Sequence, residues 1–340
     1  MKPTLDWGVV GTGGIAIAFV DALRRSKRCR VVNVCGSSAE KAKAFSAEWG
    51  IPRSAGSLEE LLADPKVEAV YIASPHPMHE AQALAAIHAK KAVLCEKPLS
   101  IDIASTERLI EAARSNGVFL MEAFMYRCHP LLREVVSRLK DGAIGRIRHV
   151  RASFGFRVPR DPAGRLFNLA LGGGSILDVG GYPVSFARLV AGIIEGKPFA
   201  EPTQIQACGV VGPTGADELA TGLLTFASGF SAEVVSATYH AIGCHTVVYG
   251  EDGRLELPDP WIPRGQRQGL ETEFTLHRDG RDPETVSIRT EMATYAIEAE
   301  LVADTLPAAE VSWPAMTWAD TLGNMRVMEA WRAQLGSKST

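Results

Sequence analysis

The chain has no CxxC pair, and its six cysteines (Cys29, Cys35, Cys95, Cys128, Cys208 and Cys244) are scattered singly along 340 residues. That argues against a disulfide framework and against a zinc site, so no metal is expected and a reducing compartment such as the cytoplasm fits best. Charge of one sign is also lacking: 36 basic residues stand against 39 acidic ones, a formal net charge of −3. Such a balance creates no field that would gather nucleic acid or an anionic membrane surface. No mostly apolar run approaches the ~20 residues of a membrane span. The first apolar stretch is broken by Gly11, Gly13 and Gly14, which makes it a poor signal peptide. With no internal repeat and no low-complexity tract either, the expected partner is a small molecule.

What is present is enough apolar material, 46% of residues, for two sizeable cores. A strand-like run at Asp6 to Val10 leads through Gly11-Thr12-Gly13-Gly14-Ile15-Ala16 into a helical spacing of Ala16, Phe19, Val20 and Leu23. Strand, glycine turn and helix are the context of a dinucleotide fingerprint: Gly11 makes the tight turn, Gly13 admits a pyrophosphate, and the amides of the next helix face its charge. The second strand, Arg30 to Cys35, is followed by Gly36-Ser37-Ser38, where an NAD site usually carries an acid for the ribose 2′-hydroxyl. Ser37, Ser38 and Lys41 suit a 2′-phosphate instead, which favours NADP. No arginine follows, so NAD stays open, and the serines can equally be helix caps.

The alternation continues through a capping box at Ser57 to Glu60, a buried run at Val67 to Ala73, and the loop Ser74-Pro75-His76-Pro77-Met78-His79. A strand before Glu96-Lys97-Pro98, a helix from about Asp102 to Asn116 and a strand at Val118 to Met121 follow. Six strands and five helices make a doubly wound parallel sheet, an α/β domain over residues 1–123. Residues 124–340 read differently. A helix at Pro130 to Lys140, a long strand at Arg146 to Val158 and an amphipathic helix from Ser175 to about Ala191 come first. Strand runs then follow at Gln204–Val211, Leu219–Phe226, Phe230–Tyr239, His245–Tyr249, Glu271–His277 and Glu284–Arg289. Short turns between strands predict a mostly antiparallel sheet in an α+β domain. Two closing helices, about Met292 to Leu306 and Thr317 to Gln334, are free to pack back on the first domain.

Lys97 falls at the carboxyl end of a parallel strand, where ligands of open α/β sheets sit. Asp178 and Tyr182 are four residues apart in a helix and so leave on one face. A lysine, an acid and a tyrosine beside a nicotinamide can manage the proton that accompanies hydride transfer: Tyr182 as general acid/base, Lys97 favouring its phenolate, Asp178 holding a hydroxyl or orienting the others. Each also has an ordinary reading, as a solvated loop lysine, a core tyrosine and an acid near a helix start. Arg157, Arg160 and Arg165 either line a substrate pocket or are solvated.

The fingerprint at Gly11 to Ala16, Glu96-Lys97-Pro98, and Gly172-Gly173-Gly174-Ser175-Ile176-Leu177-Asp178-Val179-Gly180-Gly181-Tyr182-Pro183 together resemble the glucose-fructose oxidoreductase / inositol dehydrogenase / rhizopine catabolism (Gfo/Idh/MocA) family over nearly the whole chain. The resemblance implies a Rossmann domain followed by a domain whose large open sheet commonly forms a homodimer or dimer-of-dimers interface. It also marks Lys97 as the catalytic lysine. Tyrosine at 182, together with Met121 to Pro130, is similar to the branch holding dimeric dihydrodiol dehydrogenase and NADP-linked xylose dehydrogenases. That places Met125 and Arg127, with Arg165 and Asp178, near substrate, and Ser74, Pro75, His76, His79 and Glu96, with Lys97, near cofactor. The Lys-Pro bond in this motif is often cis in such proteins. The implied activity is NAD(P)-linked oxidation or reduction of a sugar or polyol. A trans-dihydrodiol substrate is one alternative, and a non-catalytic dinucleotide or sugar sensor is another.

Overall fold

A computed structural model describes residues 4–261 and 271–336. These fall into two compact units. One comprises residues 4–129 and 290–321; the other comprises residues 130–261, 271–289 and 322–336. The first unit runs to His129, and residues 290–321 also belong to it.

The first unit carries β1 (Leu5–Val10), α1 (Gly14–Leu23), β2 (Cys29–Cys35), α2 (Ala39–Trp49), β3 (Arg53–Ala55), α3 (Leu58–Ala63), β4 (Ala69–Ile72), α4 (His79–His88), β5 (Ala92–Glu96), α5 (Ile103–Asn116), β6 (Leu120–Ala123) and α6 (Met125–Cys128). All neighbouring strands are parallel, in the order β3-β2-β1-β4-β5-β6, which is the Rossmann order with its switch between β1 and β4. Strands β4, β5 and β6 are buried along their whole length, as a sheet covered on both faces requires. Ser38, Ser57 and Asp102 cap α2, α3 and α5 with their side chains.

The second unit begins with α7 (Pro130–Lys140) and β7 (Ile147–Arg157). After them come α8 (Gly181–Glu195), β8 (Gln204–Val211), β9 (Asp217–Thr225), β10 (Ser231–Ala237), β11 (Tyr239–Gly250), β12 (Gly253–Leu257), β13 (Glu271–Arg278) and β14 (Glu284–Arg289). The eight strands run β14-β13-β12-β11-β7-β10-β9-β8, antiparallel except for the β7–β10 pair. Helix α9 (Thr294–Thr305) belongs to the first unit, and α10 (Trp318–Gln334) begins there and continues in the second.

Two expectations are corrected here. The helix expected from Ser175 is a π-helical turn at Ile176–Gly180 followed by α8, and α8 is not amphipathic: every residue from Gly181 to Gly192 is buried. A helix apolar all round belongs in a core, and this one packs on β7 and β10. The segment Leu169–Glu195 is also long and apolar enough to span a bilayer by composition, but 94% of that window is buried within the protein.

Candidate active site

At the dinucleotide end, Gly11 has φ +116°, and a Cβ there would stand 2.7 Å from the Ala73 carbonyl oxygen, so only glycine fits. Gly13 is the N-cap of α1 with no side chain closing the helix, and the first turn holds no acid. A Cβ on Gly13 or Gly14 would meet nothing within 4 Å, so the first amides of α1 face open space, which suits a pyrophosphate. Ile15 is half-buried in that turn and Ala16 is sealed beneath it. The Thr12 methyl lies 3.2 Å from where a Gly36 Cβ would be, which brings the glycine turn against the loop after β2. In that loop Lys41 Nζ donates to Ser37 Oγ at 3.2 Å. Ser38 accepts from the Lys41 amide at 3.3 Å as the α2 cap, and Ser37 and Lys41 stand exposed beside it where a 2′-phosphate would lie. These residues fit a bound dinucleotide.

Around Lys97 the chain is braced from several sides. Lys97 is half-buried at the end of β5, and its bond to Pro98 is cis. His76 and His79, expected in an open loop, stand in a short 3-10 turn and at the start of α4, with Pro75 ahead of them. His79 is fully buried, with Nδ1 2.9 Å from the Pro98 carbonyl oxygen and Nε2 2.9 Å from that of Ser74. It ties the loop after β4 to the Lys97 turn, and burial holds its pKa below the usual imidazole value. The Ser74 hydroxyl donates to Gln82 at 2.6 Å. Glu96, expected beside the cofactor, instead points into the interior and accepts a hydrogen bond from the Tyr71 hydroxyl, close to the buried Tyr295 and Glu298. Strand alternation sends Glu96 to the opposite side from its neighbours.

Of the residues placed near substrate, Met125 is buried, and Arg127 is wholly enclosed. Its guanidinium donates to Asp320 and to the Pro314 carbonyl, both at 2.6 Å. A charge this deep requires such a partner, so Arg127 is corrected to an internal link of the first unit. Sequence reading overlooked Glu122 at the end of β6. It is fully buried, and its Oε1 accepts the Leu99 amide at 3.0 Å, two residues past Lys97. A polar residue at the carboxyl end of a buried parallel strand was the signal available.

In the second unit Asp178 is buried and its Oδ1 accepts from Arg165 at 2.7 Å, so these two predicted residues are brought together. Tyr182 is buried against Phe154, edge-on at 5.1 Å, and against Trp261 at 6.0 Å. The π-helical turn that carries Asp178 is held by Asp217, whose Oδ2 accepts from the Ser175 hydroxyl and the Ile176 amide, each at 2.8 Å. Gly174 has φ +120°, and a Cβ there would collide with the Asp217 carboxylate, so the glycine run is fitted to that acid. Such single π turns recur at functional sites. Arg160 is drawn away to Glu218, bidentate at 2.7 Å and 2.7 Å, and lies with Arg157 over the Tyr239 ring. Among the described residues no group of His, Cys, Asp and Glu is arranged to hold a metal.

A Rossmann sheet with a bare phosphate-binding turn, and a lysine at its productive edge, defines the first unit as that of a nicotinamide-dependent oxidoreductase. Residues 5–124 match the "Oxidoreductase family, NAD-binding Rossmann fold" and residues 132–256 the "GFO/IDH/MocA C-terminal domain", so the chain belongs to the Gfo/Idh/MocA oxidoreductase family. It is 34% identical to trans-1,2-dihydrobenzene-1,2-diol dehydrogenase of Xenopus laevis, over 97% of this chain and 98% of the relative. To the Bos taurus protein of that name it is 36% identical, over 76% of each. Among solved structures it is similar to KijD10, a 3-ketoreductase from Actinomadura kijaniata in complex with NADP and TDP-benzene, with 26% identity, 98% of each chain covered and a TM-score of 0.82. The fold is shared as well with an aldose-aldose oxidoreductase from Caulobacter crescentus, at 24% identity, 97% of each chain and a TM-score of 0.83. The protein is thus an NAD(P)-dependent oxidoreductase, and the relatives named above act on diols or sugars.

Proposed function

We propose that the chain interconverts a carbinol and a carbonyl on a sugar or polyol with NADP, Tyr182 moving the proton and Lys97 favouring its phenolate. The observation that carries this reading is the pair of dedicated supports. Lys97 sits on a turn pinned by His79 and Glu122, and Tyr182 follows a π turn capped by Asp217. When bound, the nicotinamide supplies or accepts the hydride. The chain's own part is to bind the phosphates on α1, to stabilise developing charge at the substrate oxygen through Lys97, and to exchange a proton at the Tyr182 hydroxyl. Asp178, already paired with Arg165, orients a substrate hydroxyl.

NADP is favoured by the Ser37–Lys41 pair and by the NADP held by KijD10. Glu40 stands in the first turn of α2, the helix after the second strand, and an acid there keeps NAD within reach. A trans-dihydrodiol substrate is the second reading, favoured by the Phe154 and Trp261 rings against Tyr182 and by the names of the relatives. A homodimer forms through the open sheet face, where Leu223, Glu233, Arg151 and Val247 lie in register across β9, β10, β7 and β11. Six free cysteines accord with a cytoplasmic location.

The test follows NADPH and NADH absorbance against aldoses, ketoses, inositols and a trans-dihydrodiol. Turnover on the sugars above the diol is expected, and Lys97→Met abolishes it with NADPH binding intact. Full activity in that variant overturns the role of Lys97, and tight NADPH binding without turnover on any substrate overturns the enzyme reading.

A further inference from the structure

Glu122 is a buried carboxylate beside the Lys97 turn to which the mechanism above gives only a backbone contact. It sits at the end of β6 in register with Cys95 of β5, so the two strand ends place it directly alongside the Glu96-Lys97-Pro98 segment. One oxygen, Oε1, holds the Leu99 amide at 3.0 Å, and the carboxylate is buried with the Thr321 hydroxyl beside it. A buried carboxylate is costly to ionise unless an opposite charge answers it. The groups that face Glu122 are few. Lys97 lies within electrostatic range from the turn after β5, Asp320 opposes it from α10 with Thr321 beside it, and the Cys95 thiol stands on the neighbouring strand. Asp320 is itself neutralised by Arg127 at 2.6 Å, which leaves the Lys97 ammonium as the cation answering Glu122.

We propose that Glu122 is a positioning residue for Lys97: it fixes the backbone of the turn through Leu99 and sets the direction of the ammonium by its charge. The proposal rests on Lys97 acting at the reacting carbon. Burial pushes the Glu122 carboxyl up to about 7, so its charge changes within the working range of an enzyme. Below that pH the group is neutral and the ammonium loses its counter-charge; above it the carboxylate restores the hold. The turnover number therefore rises with pH through a limb near that value.

The decisive variant is Glu122→Gln, which keeps an oxygen for the Leu99 amide and removes only the charge. The expected result is a fall in kcat of about 10- to 100-fold, as for a small misplacement of a reacting group. KM for the sugar and the Kd for NADPH change by no more than about twofold, and the limb near neutrality disappears from the kcat profile. A kcat and pH profile equal to those of the unaltered chain overturn the proposal.

A second measurement does not depend on that variant folding. In chains labelled with 13C at glutamate carboxyls, the resonance titrating near neutrality moves to higher pH in Lys97→Met, where the ammonium is gone. A titration unmoved by that substitution also overturns it. The two readings fail differently: if Lys97→Met keeps full turnover, the role of Lys97 falls and this proposal with it. If Lys97→Met is inactive while Glu122→Gln is normal, only the role of Glu122 falls.

Discussion

The turn that carries Lys97 and the turn that carries Tyr182 solve one problem by opposite means. Lys97 stands at the carboxyl end of β5, a fully buried strand, and its support comes from ionisable groups taken into the interior: His79 on the Pro98 carbonyl, Glu122 on the Leu99 amide, Glu96 on Tyr71. Tyr182 follows a π turn whose support is a cap, Asp217 on Ser175 and Ile176, with Gly174 giving room for it. The first arrangement makes charge and pH part of the geometry. The second rests on a single buried acid, Asp217, and on the room that Gly174 leaves for it.

Three substitutions separate the arrangements. The largest effect is expected from Tyr182→Phe, which leaves the ring against Phe154 and Trp261 and removes only the hydroxyl. Steady-state assays should show kcat lower by about 10²- to 10⁴-fold, the usual contribution of a general acid or base, with NADPH affinity unchanged. Residual activity near that of the unaltered chain would return the proton to Lys97. Next is Asp217→Ala, which strips the Ser175 hydroxyl and the Ile176 amide of a buried acceptor at a cost of about 1–3 kcal/mol. Thermal unfolding reads that loss as a lower Tm, accompanied by reduced kcat and a kcat profile whose limb near neutrality persists. If the limb vanished, the two turns would not be separable in the way described. The smallest effect belongs to Lys41→Ala, which removes one exposed charge beside Ser37. Binding titrations should show NADPH weakened about fivefold, the equivalent of about 1 kcal/mol, and NADH unaffected.

Much of the architecture was legible because it is written in local pattern. Glycine turns, capping serines at 38 and 57, and apolar runs in β4 and β5 announce the Rossmann alternation, and Gln204–Val211 and Glu284–Arg289 coincide with β8 and β14. One strand was counted but not located, and another escaped. Arg53–Ala55 is only three residues long, and Gly253–Leu257 carries arginine and glutamate on a half-buried face, so neither gives a clear apolar signal. The π turn escaped because no sequence period distinguishes it from the first turn of α8; it exists through an acid on β9 far along the chain. Glu122 and Lys97 are likewise neighbours only through the register of β5 and β6. Arg127 read as a binding residue because its partner, Asp320, comes from the distant start of α10. The residue types were visible, and the long-range partners that decide their use were not.

The return of residues 290–321 to the first unit has a consequence for how the protein is made. The Leu120 amide bonds to the Ala309 carbonyl at 3.1 Å, Trp318 Nε1 donates to the Leu120 carbonyl at 2.9 Å, and Ser26 and Arg28 are fastened to Glu300 and Asp304. The nucleotide-binding unit therefore closes with residues made long after its own sheet, once most of the second unit has been synthesised. At about 5–20 residues per second the nascent Rossmann sheet waits roughly ten seconds or more, with the ground that α9 will cover still exposed. The sheet that resembles an independent module is, during synthesis, the part that depends on a distant later stretch, residues 290–321, for completion.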